Sequence, residues 1–124
     1  MRYRIALAGV LLGLSVGCGG YSSPSSPTPS SGGTGGGSPV SIVSGASTKT
    51  TTAYSPSPIT ISVGGTVTWT NNDNTTHTST ADGGLWTSGS IGPGGSFSYK
   101  FPTAGTFQYH CSIHPGMVGT VTVQ

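Results

Sequence analysis

The chain has 124 residues, only four of them Lys or Arg and two of them acidic, for a formal net charge of +2. Arg2 and Arg4 supply that excess at the very start, so the remainder is near neutral and lacks the basic stripe that nucleic-acid binding needs. With Asp73 and Asp82 as the only acidic side chains, general acid–base catalysis has few players, and no enzyme is expected.

In chain order, Met1–Arg4 is a basic start, Ile5–Val16 an apolar run, and Gly17–Gly20 a small-residue close. This is the pattern of a secretory signal peptide over residues 1–17. The run is too short to span a bilayer, which takes about 20 apolar residues. Export to a periplasmic or extracellular face is expected. Leu14-Ser15-Val16-Gly17-Cys18 resembles the bacterial lipobox, although Ser15 stands where that motif prefers a large aliphatic residue. The resemblance implies a lipidated Cys18 and attachment to a membrane. Ser15 and Gly17 also suit ordinary cleavage, which would leave Cys18 a free thiol. Within residues 18–39, everything after Cys18 is Ser, Gly, Pro or Thr with one Tyr and no charge. Such a composition cannot bury enough apolar surface to fold, so a disordered linker is expected. Its span is on the order of 25 Å.

Residues 40–124 read as one small domain, expected to be a monomer. Val40–Val43 and the region around Tyr54 are weak strand candidates. The clearer strands alternate apolar with polar residues: Ile59, Ile61 and Val63; Val67 and Trp69; Phe97, Tyr99 and Phe101; Phe107, Tyr109 and Cys111; Val121 and Val123. Gly64-Gly65, Asn71–Asn74, Gly83-Gly84, Gly92–Gly95 and Thr103–Gly105 supply turns between them. No stretch has a helical period. The pattern predicts an all-β, antiparallel sandwich. Gly64-Gly65 fits either a tight hairpin or a crossing between two sheets.

Chemistry concentrates in Tyr109-His110-Cys111-Ser112-Ile113-His114-Pro115-Gly116-Met117. Cys111 ends a strand on its inward face. His114 and Met117 follow at +3 and +6, in a loop shaped by Pro115 and Gly116, before Val118–Val123 returns. A tight loop between two strands can aim a thiolate, an imidazole and a thioether at one centre. His110 alternates outward, so His77, in the loop after the strand ending near Thr70, is the expected second imidazole. Two imidazoles, one thiolate and a weak thioether make the trigonal-plus-axial set of a blue copper electron-transfer site. Zinc also takes Cys and His but favours four firm ligands, or three plus water, and a methionine in fourth place favours copper.

The loop Tyr109–Gly119 resembles the copper loop of the cupredoxins, the plastocyanin and azurin family, with the short C-x2-H-x2-M spacing found in amicyanin. Val63–Asn71, with Asn72–His77 after it, resembles the family strand leading to its first histidine. The resemblance covers residues 40–124. It implies an eight-stranded Greek-key β-sandwich, one copper ion, and ligand roles for His77, Cys111, His114 and Met117. Thr75, Thr76, Thr78 and Ser79 surround His77 where the family often carries apolar residues, and the acidic patches of some plastocyanins are missing.

The expected function is one-electron transfer between redox partners that dock near His114. Leu85 and Trp86 could add to an apolar rim there, although core filling is the plainer role for both. The alternative is a carrier or buffer delivering copper to an exported enzyme. A carrier would favour several methionines, and Met117 is the only one in the domain.

Overall fold

The computed structural model describes residues 37–124. The expected signal peptide, Cys18 and the expected linker up to residue 36 lie outside the described residues. Eight strands follow in order: β1 Ser38–Ile42, β2 Tyr54–Ser55, β3 Ile59–Ile61, β4 Thr66–Asn71, β5 Thr80–Ala81, β6 Ser96–Lys100, β7 Gly105–His110 and β8 Val118–Val123. The one helical element described is a 3-10 turn at Ala46–Thr48. β1 opens at Ser38, two residues inside the segment expected to be linker.

The strands form two four-stranded sheets, ordered β2-β1-β4-β6 and β3-β8-β7-β5. The sandwich is not wholly antiparallel, because β1 runs parallel to β4 and β3 parallel to β8. The cause lies in the path: after β2 the chain leaves the first sheet for β3 in the second, then returns as β4 on the free side of β1. Gly64-Gly65 is therefore a crossing and not a hairpin. Gly64 takes φ +81°, a left-handed conformation open to glycine at no steric cost. Its N–H donates to Phe101 O at 2.7 Å, and Gly65 N–H closes on Ser62 O at 2.9 Å.

Alternation places the core between the sheets. In β4, Val67, Trp69 and Asn71 are buried while Thr66, Thr68 and Thr70 are half-buried. In β8, Gly119, Val121 and Val123 face inward. Trp69 lies at the centre, with ring centroids 5.4 Å from Tyr109, 5.7 Å from Trp86 and 5.9 Å from Phe97. Such aromatic pairs add about 0.5–1.5 kcal/mol each beyond the area they bury. Trp86 fills core as expected. Leu85 does not: it is 50% exposed, on the turn that Ala81 N–H closes with Trp86 O.

Gly119 is fixed by space. A Cβ there would stand 2.3 Å from Tyr109 Cζ and 2.4 Å from Tyr109 Oη. The tyrosine ring lies directly over the glycine, and β7 and β8 pair with Tyr109 opposite Gly119. This packing carries β7 straight into the loop that begins at Cys111.

Candidate metal centre

Cys111 sits one residue past the end of β7, so the strand stops at His110 and not at the cysteine itself. Cys111 N–H donates to Met117 O at 3.1 Å, and Met117 N–H to His114 O at 2.9 Å. These two bonds draw residues 111–117 into a tight turn between β7 and β8. Cys111 and Met117 are fully buried, and His114 is half-buried.

His77 comes from the connection between β4 and β5 and is also fully buried. Its backbone is clamped to Ile91 in both directions, at 3.1 and 2.8 Å. His77 Nδ1 and His114 Nδ1 each lie 3.8 Å from Cys111 Sγ. The three donor atoms fall within 4.8 Å of one another. Bonds of about 2.0–2.3 Å to a first-row ion, spread in a trigonal plane, give nitrogen–sulfur separations of roughly 3.7 Å, so the spacing fits one ion between them. The expected set thus comes together in His77, Cys111 and His114, with Met117 buried at the loop's end. His110 stays out of it. It faces outward and places Nδ1 2.6 Å from Asp82 Oδ1.

Polar partners hold two of the donors, Cys111 and His77. Thr78 N–H donates to Cys111 Sγ at 3.3 Å. Thr78 Oγ1 accepts the N–H of Ser112 at 2.8 Å, tying the residue after the cysteine to the residue after the first histidine. Tyr54 donates its hydroxyl to Thr78 O at 2.6 Å, and burial holds that phenol far above its ordinary range. His77 Nε2 lies 2.8 Å from Asp73 Oδ2. Asp73 Oδ1 accepts N–H groups from Gly45 at 3.0 Å and Asn74 at 2.8 Å. Asn71 braces the turn, accepting Asp73 N–H and donating to Thr75 O and Ile91 O. The His77 hydrogen bond foremost, and the Gly45 N–H next, pull the Asp73 carboxyl down from 3.8 to about 2 against the effect of burial.

Sequence reasoning missed Asp73, Thr78, Ser112 and Tyr54 as supports of the site. The signal for Asp73 was present in Asp73-Asn74-Thr75-Thr76-His77, an acid four residues before an imidazole. Nothing in the sequence pairs Thr78 with Ser112, because that contact joins loops 34 residues apart.

The arrangement is a buried cysteine sulfur and two imidazoles brought together by two loops of a β-sandwich, which defines a metal centre of the cupredoxin type. Residues 41–124 match the family described as copper binding proteins, plastocyanin/azurin family, and the chain belongs to it. It is 42% identical over 84 residues to a plastocyanin from Scenedesmus fuscus, covering 57% of this chain and 86% of that one. Among solved structures it is similar to a purple cupredoxin from Nitrosopumilus maritimus, at 36% identity and TM-score 0.65, covering 70% of this chain and 99% of that one. It is also similar to an amicyanin variant in its reduced Cu(I) form, at 28% identity and TM-score 0.61, covering 72% and 83%.

Proposed function

We propose that this protein is a type 1 copper protein that carries single electrons between redox partners outside the cytoplasm. The observation that carries the reading is the close triad of Cys111 Sγ, His77 Nδ1 and His114 Nδ1, and Met117, buried at the end of the same loop, would be the fourth ligand. Copper, when bound, supplies a Cu(II)/Cu(I) couple matched to soft thiolate and imidazole donors. The chain's own part is to hold those donors still. Backbone clamps on His77 and on the Cys111 loop would hold the donors in one arrangement in either redox state, and Thr78 N–H would offset charge on the sulfur. A site that moves little on gaining or losing an electron exchanges it fast.

His114 is the donor nearest solvent, and beside it Ile113 is 48% exposed, with Pro115 and Gly116 also exposed. This apolar rim is the proposed docking face for a partner, with the protein acting as a monomer. Among the described residues Lys49, Lys100, Asp73 and Asp82 balance, so steering by charge is weak and release quick. Export, and attachment through a lipidated Cys18, are proposed from the sequence of residues 1–18 alone. The test is copper titration with visible spectroscopy: an intense absorption with Cu(II), bleached by a reductant and absent in Cys111→Ser, is expected. A protein that stays colourless with Cu(II) yet binds Cu(I) tightly would instead make it a copper carrier.

A further inference from the structure

Two aspartates are present, and they are treated oppositely. The side chain of Asp82 is 49% exposed, whereas that of Asp73 is 3% exposed against a His77 side chain that is 0% exposed. A buried carboxylate costs free energy unless it is hydrogen-bonded, so its place demands a reason. Among the described residues no lysine pairs with it; the recorded ion pairs of both aspartates are to histidines. Oδ1 is occupied by the N–H groups of Gly45 and Asn74. Oδ2 faces only the ring of His77. A carboxylate is an acceptor alone, so the proton between them belongs to His77 Nε2.

We infer that Asp73 is a positioning residue for the metal centre: it locks His77 in the Nε2–H tautomer, which turns the Nδ1 lone pair toward Cys111 and His114, and its charge favours Cu(II) over Cu(I). The inference rests on the copper reading above. The oxidised site carries one more positive charge than the reduced one, and a carboxylate one imidazole ring away stabilises that charge preferentially. It also strengthens the ring as a donor, as carboxylates behind metal-bound histidines do. An asparagine at position 73 cannot replace it. Its oxygen can serve the two backbone N–H groups, but its NH2 then meets His77 Nε2 and asks that nitrogen to accept. That moves the ring proton to Nδ1, where the metal should bind.

The test compares wild type, Asp73→Asn, Asp73→Glu and, as a control, Asp82→Asn. Long-range proton–nitrogen NMR of the metal-free protein, at a pH where imidazoles are neutral, reads the His77 tautomer without copper. Wild type and Asp73→Glu are expected to show Nε2–H, and Asp73→Asn a shift toward Nδ1–H. In the copper-loaded proteins, Asp73→Asn is expected to lower the preference for Cu(II) over Cu(I) on the order of tenfold, raising the reduction potential by about 59 mV. Asp82→Asn removes the same charge at the surface and is expected to leave both readouts at wild-type values. An Nδ1–H tautomer in wild type would overturn the inference. So would an Asp73→Asn protein with unchanged tautomer and potential. If wild type bound no copper, the proposed function and the effect on potential would fall together, while the metal-free spectra would still decide the positioning role. If Asp73→Asn failed to fold, the tautomers of wild type and Asp73→Glu would decide it.

Discussion

Thr78 donates its backbone N–H to Cys111 Sγ at 3.3 Å, across 33 residues of sequence and between the two loops that carry the donor atoms. The same residue accepts Ser112 N–H on its hydroxyl. Thr78 therefore holds both the cysteine sulfur and the backbone of the residue after it.

Thr78→Val keeps the shape and the N–H of this residue but removes the oxygen that Ser112 N–H uses. A partly buried donor left without a partner costs about 1–3 kcal/mol. Urea unfolding of the metal-free protein is expected to show a loss in that range. Ser112→Ala, which leaves the Ser112 N–H bond in place, is expected to cost less.

Gly119→Ala should be among the most damaging single-methyl additions in the domain. Its Cβ would meet the Tyr109 ring at 2.3 Å, and overpacking of this kind costs about 1–3 kcal/mol, occasionally more. Because Tyr109 lies two residues before Cys111, the shift is expected to reach the copper site. A lower melting temperature together with an altered visible spectrum would be the outcome. Gly116→Ala, with open space around its Cβ position, is the comparison and should keep wild-type stability.

The Tyr109 hydroxyl and the Trp69 indole N–H are both buried with no hydrogen-bond partner among the described residues. Each is a desolvated polar group whose removal relieves a cost. Tyr109→Phe is therefore expected to change stability by less than about 1 kcal/mol, in either direction, although the ring is wholly buried. Tyr54→Phe makes the contrast, since Tyr54 donates its hydroxyl to Thr78 O at 2.6 Å. It leaves that acceptor unpaired and should destabilise by about 1–3 kcal/mol. Denaturant midpoints of the two variants measure the difference.

Acid titration separates the contribution of Asp73. Its carboxyl is lowered from 3.8 in a free chain to about 2 in the fold. A depressed folded value means that the stabilisation is complete above 3.8 and is lost as pH falls toward about 2. Wild type should be more stable than Asp73→Asn at neutral pH, and the gap should close across that window. Unfolding midpoints of both metal-free proteins, from neutral pH down to about 2, check it.

What could be read before the fold was known follows from where the information sits. Alternation in Val67–Trp69, Phe97–Phe101, Phe107–Cys111 and Val121–Val123 marked the central strands, because each has one face in the core. β5 went unseen, since Thr80–Ala81 is too short to show a period. The parallel pairing of β1 with β4 was invisible because register between distant strands is set by tertiary packing. Ligand chemistry and spacing singled out His77, Cys111, His114 and Met117, and the donor atoms of the first three lie within 4.8 Å of one another. Asp73 was counted only as one of two acidic residues, because nothing local says that its turn folds inward onto His77. The hydroxyl residues around His77 were read as a departure from the family, whereas Thr78 supplies the polar contacts that hold the cysteine loop.

The most direct test of the account is the visible spectrum of the purified protein during stoichiometric addition of Cu(II), beside that of Cys111→Ser. The account predicts one intense thiolate-to-copper absorption that saturates at one ion per chain, vanishes on reduction and never forms in the variant. A wild-type spectrum that stays as weak as that of Cys111→Ser, with copper bound or not, would contradict it.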